Sequence, residues 1–143
     1  MTALVPNTRL SHGTIECMDH KASRRFYEEV LSLGSVRPLP AAQYLWNGGP
    51  WSLVCVGIGV ETKPQGVENR FCLRVTSAAE VDAARDTALR LQGEHKIKKI
   101  GPIEVHGNVR SFMLCDRDTN WWEISNTSGA TYDEAFARGD VSA

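Results

Sequence analysis

Residues 69–80 read NRFCLRVTSAAE. Phe71, Leu73 and Val75 alternate with Arg70, Cys72 and Arg74, the period-two pattern of a strand with one apolar face. Ser77 followed three residues later by Glu80 forms a capping box, which predicts a helix start. Val81, Ala84, Ala88 and Leu91 then share one face at helical spacing, and Gly93 is the expected stop. Upstream, LSHGTIEC (10–17) follows the same plan. Gly13, Ile15 and Cys17 alternate with His12, Thr14 and Glu16. Asp19 is the expected N-cap of a helix running to Leu33, with Ala22, Phe26, Val30 and Leu33 inward and Gly34 just past its end.

The caps Asp19 and Ser77 are 58 residues apart, and that shift lays Ile15 on Leu73, Cys17 on Val75, Val30 on Ala88 and Leu33 on Leu91. Three strands complete each copy: about 35–38, 42–47 and 51–58 in the first, about 97–104, 109–115 and 121–125 in the second. Asn47-Gly48-Gly49-Pro50 supplies a turn. The expected division is an N-terminal arm (1–9), a first βαβββ module (10–60), a linker (61–68) around Lys63-Pro64-Gln65-Gly66, a second module (69–126) and a tail (127–143). A weak helix is expected in the tail at Tyr132–Arg138. A lone unit of roughly 55 residues buries its sheet and helix poorly. Two units must therefore pack, side by side or exchanged between chains. The predicted class is α+β: two βαβββ modules forming half-barrel sheets with helices on the outer face.

Composition narrows the function. The 143 residues are 42% hydrophobic and 23% charged, with 16 basic and 17 acidic side chains and a net charge of −1. Nothing in that balance points to nucleic acid or an anionic membrane. No apolar run reaches the roughly 20 residues that span a bilayer. MTALVPNTRL lacks a signal-peptide pattern, so a cytoplasmic protein is expected. Cys17, Cys55, Cys72 and Cys115 form no CxxC pair and lie in apolar runs. They are expected to be buried free thiols in a reducing compartment, the alternative being a reactive or metal-binding cysteine, Cys72 or Cys115 first.

Strand alternation sorts the remaining chemistry. Phe112, Leu114, Trp122 and Ile124 pack toward a helix, whereas Met113, Trp121 and Glu123 face away with His12, Thr14, Arg70 and Cys72. A curved sheet with that face is a cavity with a polar floor and aromatic walls, suited to a small oxygenated or aromatic molecule. Thr14, Cys72, Met113, Trp121 and Trp51 are candidate substrate-lining residues. His20 and His95 are expected to be solvated. His106, beside Gly107-Asn108, is either a loop histidine or an acid–base group over the cavity mouth. Arg24, Arg25, Glu28 and Glu29 form a solvated helix face with i,i+4 pairs.

LSHGTIEC with the SRRFYEEVLSLG helix, NRFCLRV before its capped helix, and SFMLCDRDTNWWEI together resemble the vicinal oxygen chelate superfamily. That group includes glyoxalase, the bleomycin- and fosfomycin-resistance proteins and the extradiol dioxygenases. The resemblance spans residues 10–125. The final run is similar to an aromatic strand, a DPDGN-type turn and a closing Glu, with Arg117 in place of Pro and Thr119 in place of Gly. The family's metal ligands map to His12 on the first strand and Glu123 on the last. The remaining ligand, usually a His on the fifth strand, maps to Arg70, and the fourth strand offers no carboxylate or amide.

A guanidinium stays protonated and does not coordinate, and two protein ligands make a weak site. The alternatives are a divalent metal (Fe, Mn, Zn or Ni) on His12 and Glu123, completed by Asn69 or His106; a metal-free site in which Arg70 binds a substrate oxygen or carboxylate; and a structural ion pair. The extradiol-type tyrosine is absent from Phe112-Met113-Leu114-Cys115. The resemblance implies a homodimeric enzyme (lyase, isomerase or dioxygenase-like) acting on a small oxygenated metabolite. His12, Glu123, Arg70 and His106 would be its reacting groups. The alternative is a metal-free protein that sequesters a small molecule, as the bleomycin-resistance group does.

Overall fold

The computed structural model describes residues 9–142. The arm expected over residues 1–9 lies, apart from Arg9, outside the described residues. The chain runs β1 (His12–Cys17), α1 (His20–Glu29), β2 (Gly34–Leu39), β3 (Ala42–Trp46), β4 (Ser52–Gly57), β5 (Arg70–Arg74), α2 (Ala78–His95), β6 (Lys99–Ile100), β7 (Glu104–His106), β8 (Val109–Cys115), β9 (Trp121–Ser125) and α3 (Thr131–Arg138). It is an α+β protein with two open mixed sheets, ordered β1-β4-β3-β2 and β5-β9-β8-β6, with β7 also on β8. In each sheet the first strand lies parallel to the last (β1 on β4, β5 on β9) and the other pairs are antiparallel. Each parallel pair needs a crossover, which the module's helix supplies.

Both helix starts follow from their caps. Asp19 accepts from the Lys21 amide at 2.9 Å, and Ser77 and Glu80 make the reciprocal capping box. Their ends differ from expectation. α1 stops at Glu29, because Leu31 and Leu33 turn into the core and Ser32 takes the left-handed conformation (φ 56°). Gly34 therefore opens β2 instead of following the helix. The inward face of α1 is Ser23, Phe26 and Tyr27, rotated from the expected Ala22–Val30 stripe. α2 continues through Gly93 to His95 and ends on Lys96 in the left-handed conformation.

The helix-bearing faces of both sheets share one core. Tyr27 of α1 meets Trp122 of β9 edge-on at 5.9 Å, and Phe71 of β5 lies 5.9 Å from the same indole. Full burial of each such side chain contributes about 1.5–3 kcal/mol. His95, expected in solvent, is buried against Phe26 with Nε2 3.0 Å from Glu29. His20, also expected in solvent, is half-buried beside Cys17. Arg25 pairs with Glu29 and reaches Glu94 of α2 at 2.6 Å, and Arg24 pairs with Glu28.

The turn at 116–120 is the second surprise. Its residues read as a polar turn, and Asp116, Asp118, Thr119 and Asn120 are all buried. Asp118 accepts from the Met18 amide at 3.0 Å and from the Ser23 hydroxyl. Asn120 donates to the Glu16 carbonyl at 2.9 Å. Thr62 donates to the Asp118 carbonyl, and Thr119 to that of Lys63. The turn fastens the second sheet to the first module and to the segment between them.

Candidate functional site

Register builds the site. In β5–β9, Arg70 lies opposite Trp121 and Cys72 opposite Glu123; β8 sets Met113 against the other side of Glu123. Cross-strand partners share a face, so Cys72, Glu123 and Met113 form one row, with Arg70 and Trp121 in the next. This is the face turned away from Phe112, Trp122 and Ile124 in the core.

Arg70 and Glu123 meet there. Arg70 Nε donates to Glu123 Oε2 at 2.7 Å, with side chains 29% and 20% exposed. Nη1 lies 3.4 Å from the Val67 carbonyl and 3.5 Å from Glu68. The Glu123 hydrogen bond holds the guanidinium pKa above its ordinary value, against a smaller opposing effect of burial. The group is a permanent cation. Nη2 has no hydrogen bond among the described residues and remains free to grip an anion.

Cys72 departs from its expected burial. It is exposed, yet crowding by its neighbours, followed by the Glu123 charge, pushes its thiol up to about 11. At neutral pH it is a neutral lining group and not a nucleophile. The other three cysteines are buried and free.

The remaining candidates divide. Thr14 and Arg70 line a polar cavity of about 480 Å³ between β1, the 62–68 segment and the start of β5. Its wall includes Glu16, which alternation places with Thr14, and Asn69, together with Lys63 and Asp118, which strand alternation did not select as ligand-facing. Trp51 and Cys72 line a more apolar cleft of about 250 Å³ with Trp46 and Phe71. Trp121 is half-buried and donates from Nε1 to the Gln65 carbonyl at 2.9 Å.

His12 is exposed, with Nδ1 3.1 Å from the Ser11 hydroxyl, and it lines neither cavity. His106 is exposed on β7 opposite Val109, four residues along β8 from Met113 and so about 13 Å from the Glu123 row.

The resemblance carried by the sequence implies a divalent metal, and these residues do not fit one. The position of the missing ligand holds a fixed positive charge, and that charge occupies an oxygen of Glu123. Within the chain His12 lines neither cavity, and its Nδ1 contacts the Ser11 hydroxyl. Among the described residues, groups within metal-ligating reach of one another are Cys17–His20–Cys55 and Glu29–Glu94–His95, neither of which is this site.

No protein-family model matches the chain, and no curated protein sequence does. Solved structures do. A variant of the fosfomycin resistance protein FosX from Listeria monocytogenes, complexed with Mn(II) and 1S,2S-dihydroxypropylphosphonic acid, superposes with a TM-score of 0.69 at 15% identity, over 86% of this chain and 93% of that one. Lactoylglutathione lyase from Agrobacterium tumefaciens gives 0.60 at 18% identity, over 85% and 95%. An oxidase gives 0.62 at 18%, over 85% and 95%. These likenesses establish the fold alone, the one that the resemblance of the sequence to the vicinal oxygen chelate superfamily led us to expect. They span a lyase, a resistance protein and an oxidase, so the fold does not choose a reaction.

Proposed function

We propose that the protein is an enzyme of the vicinal oxygen chelate type that acts on a small oxygenated anion, with Arg70 doing the anchoring that a divalent metal does elsewhere in the family. The observation that carries this reading is the 2.7 Å bond from Arg70 Nε to Glu123 Oε2. It orients the guanidinium and leaves its outer edge for a carboxylate, phosphate or phosphonate. Glu123 positions Arg70 and is the proton acceptor beside the bound substrate. Thr14, Cys72, Met113, Trp121 and Trp51 line its path. His12 and His106 are the acid–base groups that a closed site would recruit.

The homodimer belongs to the same proposal. The two sheets share one core through their helix-bearing faces, which leaves Val36, Tyr44, Trp46 and Cys72 exposed on the chain. A second copy placing its first module over the second module of this one covers those faces and brings its own His12 toward Arg70 and Glu123. One observation favours the alternative, metal-free sequestration of a planar ligand: the cleft walled by Trp46, Trp51 and Phe71.

Two measurements test the reading. In Mn(II) titration calorimetry the wild-type chain is expected to show no binding. Arg70→His acquires a site, which is lost again when Glu123→Ala is added. Stoichiometric Mn(II) binding by the wild type, abolished in His12→Ala and in Glu123→Ala, overturns it. A thermal-shift panel of small carboxylates, phosphates and phosphonates, dihydroxypropylphosphonate included, is expected to contain ligands that raise Tm in the wild type but not in Arg70→Gln. A panel without effect, or an equal effect in both proteins, refutes the anchoring role. Turnover of a panel ligand distinguishes an enzyme from a sequestering protein.

A further inference from the structure

On the helix-bearing side of the first sheet, Cys17 ends β1, His20 opens α1, and Cys55 sits in the neighbouring strand β4. The Asp19 cap starts the helix directly after the strand, so the His20 ring folds back over Cys17. Its Nδ1 lies 3.7 Å from Cys17 Sγ, and the ring fills the space that a Cβ at Gly57 would take. One donor atom from each of Cys17, His20 and Cys55 lies within 4.8 Å of the others. An ion bound at about 2.3 Å to sulfur and about 2.0 Å to nitrogen sets donor–donor edges of about 3.5–4 Å. The sulfur–nitrogen contact falls in that range.

Packing alone accounts for two buried cysteines. It does not account for the polar groups aimed at them. Tyr27, fully buried, holds its hydroxyl 3.5 Å from Cys55 Sγ. Gln43 lies opposite Cys55 in the β3–β4 ladder and is also fully buried. Its Nε2 has no hydrogen-bond partner among the described residues. Leaving a buried amide donor unpaired is costly, and a thiol is a poor acceptor. A metal-bound thiolate is a good acceptor and would satisfy both the amide and the phenol.

We propose that Cys17, His20 and Cys55 form a binding site for one thiophilic d10 cation, Zn(II) or Cu(I). Two thiolates and an imidazole are the donor set such ions prefer. On binding, each thiol releases its proton to solvent. With Zn(II) the two thiolate charges cancel the ion's charge, which limits the cost of burying it. His20, half-buried, is the entry side. The ion would clamp β1, α1 and β4 together, on the opposite face of the sheet from Thr14 and His12. The site is independent of Arg70 and Glu123.

Full-length protein, reduced and freed of metal, is titrated with Co(II) as a reporter for Zn(II), and with Cu(I) in competition with a chromophoric chelator. The expected result is one equivalent per chain of at least one of these ions. For Co(II) the signature is a near-ultraviolet thiolate-to-metal charge-transfer band that Zn(II) displaces. Cys55→Ala abolishes it. Because a core substitution can cost folding, His20→Ala and Tyr27→Phe are measured alongside, with folding checked by circular dichroism. His20→Ala weakens binding by at least about tenfold, and Tyr27→Phe by about 10–100-fold. Absence of binding by both ions, or binding unchanged in folded His20→Ala and Cys55→Ala, overturns the proposal.

Discussion

Asp116 shows how one side chain can be both satisfied and strained. It accepts from the Asp118 amide at 2.8 Å, the Asn120 amide at 3.0 Å and Trp122 Nε1 at 3.0 Å. Burial nonetheless outweighs these bonds and pushes its pKa up to about 7. A carboxyl whose folded pKa lies above its unfolded value holds its proton longer in the folded chain. Its contribution to stability is complete below about pH 4 and is lost as pH rises through about 7. Asp116→Asn keeps an oxygen for the two amides but turns an NH₂ toward Trp122 Nε1. It is expected to cost about 1–3 kcal/mol near pH 5. In urea unfolding, that deficit relative to wild type should narrow between pH 4 and 8; a constant deficit would show that Asp116 is ionised throughout. None of this was legible in DRDTN, a string that reads only as a polar turn. Its burial depends on β1 and α1, about a hundred residues earlier in the chain.

At the scale of elements, the sequence was most informative where interactions are local. The capping box at Ser77 and Glu80 is present as read, with Glu80 also accepting from the Thr76 amide and hydroxyl. Those bonds hold the Glu80 carboxyl below its usual range. Ser77→Ala should destabilise the protein by about 1 kcal/mol, measured as a lower urea midpoint at unchanged slope. Helix ends were less legible than helix starts. Gly34 and Gly93 each carried a stop signal, but α1 ended early because two leucines turned into the core, and α2 ran past its glycine. A stop residue permits an end; packing of the next apolar side chain decides where it falls.

For the whole molecule, the Asp118 contacts form the latch between the halves. Asp118→Ala removes hydrogen bonds to Met18 and Ser23 and leaves the buried Ser23 hydroxyl without this partner. It should cost about 3 kcal/mol and broaden the unfolding transition as the halves begin to melt separately. A single sharp transition with under about 1 kcal/mol lost would mean that the shared aromatic core joins the halves unaided. The proposed dimer belongs to this scale too. Analytical ultracentrifugation is expected to give twice the 15.8 kDa chain mass. Mixing His12→Ala with Glu123→Ala protein should restore part of the ligand binding that each variant lacks, because one of the two shared sites in a mixed dimer is intact.

The sequence by itself determined what repeats along the chain: two strand–helix starts with their caps, the alternation that separates Glu123 from Trp122, and the resemblance those runs carry. These are short-range facts, written in neighbours three or four residues apart. Only the tertiary structure decided which long-range partners meet. Arg70 reaches Glu123 because β5 lies beside β9, across 53 residues of chain. His20 and His95, polar residues at opposite helix ends, are drawn toward the interior by the packing of the modules. Periodicity assigns a side chain to a face, but the partner on that face is set by sheet register and module docking, which minimise unpaired polar groups across the whole chain.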